Sequence, residues 1–273
     1  MIYIKKILFT ILILLVSLFL YGRYIEPNNI KTHYYTISDD SIPTSFEELK
    51  IVQFSDILYS KKSNKNKISD TIKLINKENA DIVVFNGDLF KKDEKYNEDD
   101  YNFLLELFKS INANLYKYAV IGDNDKYFLE NYKDILYESN FNLLDNQNTL
   151  LFYKDVTPIN IVGLTDTSKQ DELFNSEISY NYSIVISHEP DIFKYINSNT
   201  NFTLLAGHSL GGIINVPYYG GIIKSDGAKT YVYGNYKNKN NNLFITNGIG
   251  YKHIDFRLLN NPSINVFKLK KSK

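Results

Sequence analysis

The sequence predicts one α/β domain containing two sheets, carried behind a single apolar N-terminal segment. Three observations predict it. Residues 7–21 form an uncharged apolar run. Between residues 50 and 139, short β-branched runs alternate with stretches of helical period, the pattern of parallel βαβ units. From residue 143 onward, short strand-like runs follow with little helix between them, which calls for a second sheet.

The elements follow in order. Lys5 and Lys6 precede the apolar run, and Ile2 to Gly22 reaches bilayer length if those lysines snorkel. The bulky Leu18-Phe19-Leu20-Tyr21 lacks a small-residue cleavage pattern, so an uncleaved signal-anchor is favoured over a removed signal peptide. The paired lysines predict a cytoplasmic N-terminus and an extracytoplasmic main domain, although Arg23 weakens the asymmetry. Residues 1–25 are thus read as the anchor, 26–31 as a tether with Pro27, and 32–273 as the domain.

Within the domain, strands are expected at Thr32–Ile37, Lys50–Phe54, Asp81–Phe85 and Tyr118–Ile121. Helices are expected at Ile68–Asn79, Asp99–Asn112 and Lys126–Ser139, each with apolar residues three and four apart. Short strands follow at Leu143–Leu144, Leu150–Tyr153, Asn160–Val162, Ser183–Ser187 and Phe202–Ala206, with helices near Gln170–Ser176 and Ile192–Asn197. Lys229–Tyr233, Leu243–Thr246 and Ile264–Leu269 read as antiparallel strands, with Lys237–Asn242 an exposed hairpin loop.

Composition narrows the chemistry. The 273 residues hold 31 Lys plus Arg against 31 Asp plus Glu, so no global field attracts nucleic acid, and none is expected as a partner. A phosphate-bearing ligand must be attracted locally. There is no cysteine, which excludes disulfides, thiolate metal sites and cysteine nucleophiles.

Five metal-capable side chains lie just past strand-like runs, where open α/β sheets collect ligands: Asp56, Asp88, Asp123, His188 and His208. Singly, each Gly-Asp or Ser-His is more often a turn or cap. Together they involve two of the four histidines of the chain. In sequence they read Ser55-Asp56-Ile57-Leu58, Gly87-Asp88, Gly122-Asp123-Asn124-Asp125, Ser187-His188 and Gly207-His208-Ser209-Leu210-Gly211-Gly212.

That order resembles the calcineurin-like metallophosphoesterases, whose motifs run Asp-x-His, Gly-Asp, Gly-Asn-His-Asp/Glu, a lone His, and Gly-His-x-His. It is similar in particular to the membrane-associated bacterial YkuE/YaeI-like branch, through Glu48-Leu49-Lys50-Ile51-Val52, the Gly207–Ile214 segment, Thr246–Gly250 and Arg257–Pro262. The resemblance implies a four-layer αββα sandwich of two mixed sheets and two-metal phosphoester hydrolysis. It also implies how the ligands divide. One ion would have Asp56 and Asp88, but Leu58 and Leu210 where the family has imidazoles. The other would keep Asp88, His188 and His208, with Asp123 replacing an asparagine. Asn124 falls where the family has its catalytic histidine; in a register shifted by one residue it takes the asparagine role instead. No catalytic residue is assignable in either register.

The expected cofactor is therefore one divalent ion, Mn²⁺, Fe²⁺ or Zn²⁺, rather than two, with no ion as the alternative. The expected function is a membrane-anchored phosphomonoesterase or phosphodiesterase acting on a phosphorylated small molecule or lipid headgroup. The alternative is a catalytically inactive homologue that binds a ligand or protein at the membrane surface. His253 is a candidate substitute histidine or a surface residue, and His33 reads as structural. Asp226 and Arg257 are candidates for the mouth of the site. Gly211-Gly212 offers backbone N–H groups to a phosphate, or a simple tight turn.

Overall fold

The computed structural model describes residues 2–165 and 180–272. An N-terminal helix, α1 (Ile2–Leu20), buries none of its side chains and continues through a wider turn at Tyr21–Ile25 and a tight turn at Glu26–Asn28. The strands and helices after it are β1 (Lys31–Asp39), β2 (Lys50–Phe54), α2 (Lys65–Lys77), β3 (Ile82–Phe85), α3 (Glu98–Lys109), β4 (Tyr116–Ala119), α4 (Leu129–Glu138) and β5 (Asn142–Leu143). Then come β6 (Gln147–Leu151), β7 (Ile159–Gly163), β8 (Tyr182–Ile186), β9 (Asn201–Ala206), the two-residue strands β10 (Asn215–Val216) and β11 (Gly220–Gly221), β12 (Asn235–Asn238), β13 (Asn241–Ile245) and β14 (Ser263–Lys271).

Two six-stranded mixed sheets result, ordered β1-β14-β2-β3-β4-β5 and β12-β13-β9-β8-β7-β6. Period-two alternation sends opposite faces of each strand into different cores. Ile51, Val84 and Phe267 of the first sheet meet Ile161, Ile184, Leu205 and Phe244 of the second between the sheets. Val52, Phe54, Val83 and Phe85 face the other way, against Ile72, Leu104, Phe108 and Tyr132 of the helices. On the outer face of the second sheet, Val185 and Leu204 pack with Phe193 of a tight turn at Pro190–Lys194.

The helices start where side chains satisfy their free N–H groups. Asn64 caps α2 by accepting from Lys67, and Asn97 with Asp100 makes a reciprocal capping box on α3. The expectations fail where tertiary pairing overrides local pattern. Lys229–Tyr233 is not a strand, and β13 runs parallel to β9 although it is antiparallel to β12. The helix expected at Ile192–Asn197 is a tight 3₁₀ turn starting at Pro190, and that expected at Lys126 opens as 3₁₀ before α4. The helix expected near Gln170–Ser176 lies outside the described residues.

Residues 26–31 pack on the domain. The buried Glu26 carboxylate accepts from the backbone N–H groups of Leu259 and Asn260 (2.9 and 2.5 Å), and the Arg257 N–H donates to the Gly22 carbonyl at 2.9 Å. A Cβ at Gly22 would lie 2.6 Å from the Phe256 ring, so the close approach depends on glycine.

Candidate metal centre

Each of the five side chains singled out in the sequence follows a strand end. Asp56, Asp88 and Asp123 come after β2, β3 and β4 of the first sheet, and His188 and His208 after β8 and β9 of the second. A buried amide chain holds the two sheet edges together beneath them. Gln53 donates to Asn86 Oδ1 (2.8 Å) and to the Ala206 carbonyl (3.0 Å). Asn86 Nδ2 donates to the Ser187 and Leu205 carbonyls at 2.9 and 2.8 Å.

The same Asn86 orients the site. Its carbonyl lies 2.6 Å from His188 Nδ1, and the Asp226 carbonyl lies 2.6 Å from His208 Nε2. A carbonyl only accepts, so each of these ring nitrogens carries hydrogen. That leaves His188 Nε2 and His208 Nδ1 as the free nitrogens, 3.0 Å apart. Asp88 Oδ2 lies 3.4 Å from His188 Nε2, and Asp123 Oδ2 lies 3.6 Å from His208 Nδ1. Two lone pairs facing each other in a buried pocket need a cation between them. Without a metal, a proton serves: burial opposes charge on His188, yet Asp88 and the other carboxylates hold its pKa well above the usual value. Burial and the neighbouring His188 push His208 down. A divalent ion with carboxylate and imidazole ligands fits this arrangement.

The structure brings Asp88, His188 and His208 together, their ligand atoms mutually within 4.8 Å. It brings Asp123 and His208 together in the same way with Glu189, a residue that sequence reasoning passed over. Glu189 directly follows His188, and only the fold shows that its carboxylate lies with Asp123 and His208.

Asp56 stands apart. It is fully buried, with one oxygen accepting from the His208 N–H (2.9 Å) and the Ser55 hydroxyl and the other without a partner among the described residues. Leu58 and Leu210, both buried, flank it: a Cβ at Gly250 would lie 2.8 Å from Leu58 Cβ, and one at Gly248 2.7 Å from Leu210 Cδ2 and 2.8 Å from Asp56 Cβ. Asn124 caps Asp88, its Nδ2 on Oδ2 at 2.5 Å and its backbone N–H on Oδ1 at 2.8 Å.

Asp56, Leu58, Asp88, His208 and Leu210 all have positive φ, between 47° and 66°. Left-handed backbone is costly for leucine, and runs of it collect at functional sites. Arg257 does not reach the mouth. Its buried guanidinium donates to the Leu210, Asn247, Gly248 and Gly250 carbonyls and forms the floor beneath Asp56. The Gly211 and Gly212 N–H groups bond to Ser209 within a tight turn.

Above the centre lies a cleft of about 780 Å³, lined by Lys91, Lys92, Lys126 and Lys252, with His253 and Asp226 at its side. Five carboxylates, Asp93, Glu94, Asp123, Glu189 and Asp226, line the same cleft, so it mixes both signs of charge.

The family model for calcineurin-like phosphoesterases matches residues 49–234, which include Asp56, Asp88, Asp123, His188, Glu189 and His208. The chain belongs to that family. A relative, the uncharacterized metallophosphoesterase YkuE of Bacillus subtilis, is 30% identical over 256 residues, 92% of this chain and 89% of that protein. The UDP-2,3-diacylglucosamine pyrophosphatase LpxG of Chlamydia muridarum is 24% identical over 73% of this chain and 74% of its own. Among solved structures, a novel archaeal phosphodiesterase aligns with TM-score 0.38 and 15% identity, covering 75% of this chain and 87% of that one. Leu58 and Leu210, each two residues past a motif residue (Asp56 and His208), share the left-handed backbone of those residues.

Proposed function

We propose that this chain is a membrane-anchored metal-dependent phosphoesterase working with a single divalent ion, held by Asp88, Asp123, His188 and His208. The observation that carries the reading is the 3.0 Å approach of two imidazole nitrogens whose other nitrogens are both committed to carbonyls. Leucine on the Asp56 side supplies no lone pair, so that half of a two-metal centre has no means of holding a second ion.

A bound divalent ion supplies Lewis-acid polarisation of a phosphoryl oxygen and a lowered pKa for water. The residues of the chain do the rest. Lys91 and Lys252 would meet the phosphate in the cleft, while Lys126 is paired with Asp123. Asn124, at the position of the family's catalytic histidine, donates hydrogen bonds and does not carry protons; a positioned acid–base group is typically worth about 10²–10⁴ in rate, so slow turnover is expected.

The apolar helix α1 is long and apolar enough to cross a membrane, and it enters the domain beside the site floor through Gly22 and Glu26. The packing of residues 22–26 supports retention of the segment as an anchor. Lys5 and Lys6 support a domain outside the cytoplasm. The name of the Chlamydia relative, a UDP-2,3-diacylglucosamine pyrophosphatase, supports a phosphorylated lipid headgroup as the substrate class.

The test uses the full chain in detergent: metal per chain by elemental analysis, then hydrolysis of bis(p-nitrophenyl) phosphate with added Mn²⁺. Near-stoichiometric metal with turnover is expected. Metal without turnover favours the ligand-binding reading, to which the Asn124 amide on Asp88 already lends weight. A folded protein that takes up no metal overturns the single-ion centre.

A further inference from the structure

We propose that Glu189 is a ligand of the same ion, so that its coordination is completed on the cleft side, away from Asp56. This rests on the single-ion reading above and extends it to a residue outside the motif set. The Asp88–His188–His208 and Asp123–Glu189–His208 groups meet at one residue. His208 offers only Nδ1, because Nε2 is committed to the Asp226 carbonyl. One nitrogen lone pair serves one ion, so both groups address the same ion.

The chain makes room for Glu189. Gly227 has φ +78°, and a Cβ there would lie 2.3 Å from the Glu189 carboxyl carbon and 2.6 Å from both its oxygens. Any larger residue would displace the carboxylate. The same turn carries the Asp226 carbonyl that fixes the His208 ring, and the Gly227 carbonyl accepts from the Asp191 N–H at 2.9 Å. One short loop therefore sets the ring orientation and the carboxylate space together.

Charge points the same way. Glu189 is half-buried and within hydrogen-bonding reach of Asp123. Lys126 pairs with Asp123 at 2.9 Å from the exposed side. A cation seated among them relieves the repulsion. On the Asp56 side, the buried Leu210 side chain offers no lone pair. Three carboxylates and two imidazoles make an oxygen-rich set suited to Mn²⁺ or Fe²⁺.

The test is Mn²⁺ binding to the chelator-treated full chain in detergent, with free Mn²⁺ read by electron paramagnetic resonance at 0.05 and 0.5 M NaCl. Glu189→Gln is expected to weaken Mn²⁺ binding about tenfold or more at both salt concentrations, as loss of an inner ligand does. Glu130→Gln, on an exposed face of α4, is expected to bind like the parent chain, and melting curves confirm that the variants fold. An unchanged affinity in Glu189→Gln, or a loss that vanishes at 0.5 M salt as screened long-range attraction does, overturns the assignment. His188→Ala separates the two readings. If it abolishes binding while Glu189→Gln does not, the single-ion centre stands without Glu189. If the parent chain binds no Mn²⁺, both readings fall.

Discussion

His188 Nε2 and His208 Nδ1 face each other at 3.0 Å, although the two rings hang from neighbouring strands and are oriented by carbonyls in different parts of the fold. The proposed single ion would sit against these two nitrogens. His188→Ala or His208→Ala is expected to lower bound metal from near one per chain to below about a tenth, since ligand loss weakens such sites by orders of magnitude. Elemental analysis after gel filtration reads the result, and retention of metal by both variants would refute the seat.

Restoring the missing imidazoles tests how the leucines were mapped. In Leu58→His/Leu210→His/Asn124→His, the left-handed backbone at 58 and 210 already has the loop shape, so the new rings should reach the Asp56 side. Metal content is expected to approach two per chain, and phosphodiester hydrolysis to rise at least tenfold. If the triple variant folds and still holds one ion or none, those positions are not the lost ligands.

Asn86 is expected to be a stability residue as well as an orienting one. Its side chain donates two hydrogen bonds to the second sheet and accepts one from Gln53 of the first, all buried. Asn86→Ala takes the amide donor from the Ser187 carbonyl, while the Leu205 carbonyl keeps the Ser187 N–H (3.1 Å) and Gln53 Nε2 keeps the Ala206 carbonyl (3.0 Å). A loss of about 2–4 kcal/mol is expected in urea unfolding. A loss under about 0.5 kcal/mol would mean that water replaces the clamp.

Lys67 gives a pH dependence with a definite sign. Burial pushes its ammonium down from 10.5 to about 8, despite Asp255 at 4.0 Å. Between about pH 8 and 10.5 the unfolded chain holds more of this proton than the folded one, so this residue's contribution to stability rises with pH across that window. Below pH 8 its cost is constant. The melting temperature of the parent chain minus that of Lys67→Met is therefore expected to grow from pH 7.5 to 10. A flat difference would show that Lys67 is not desolvated in solution.

Glu26 is expected to couple the helix to the domain. Glu26→Ala removes the acceptor of two backbone N–H groups beside the site floor, at a cost of about 1–3 kcal/mol. Thermal unfolding in detergent should show the drop, and protease cleavage near residue 26 should speed up. If neither changes, residues 26–31 behave as the loose tether that their composition suggests.

Much of the fold was legible because it follows local periodicity. Ile68, Ile72 and Ile75 announce α2, and the β-branched runs at 51–52 and 82–84 announce β2 and β3. Lys229–Tyr233 misled for the same reason: its β-branched and aromatic residues have the right pattern but no strand to pair with. Arg257 misled through its chemistry, since a guanidinium suggests the mouth of a phosphate site. Four carbonyls turned inward by the 210 and 247–250 loops bury it instead.

The sequence by itself determined which side chains stand past the strand ends, because residue identity and strand period are local properties. The tertiary structure alone decided which ring nitrogens are free, since the carbonyl that orients His188 lies 102 residues away and the one that orients His208 lies 18 away. It also decided that Asn124 caps Asp88 and that Glu189 lies beside Asp123 and His208. Those are questions of distance across two sheets, and spacing along one chain does not encode them.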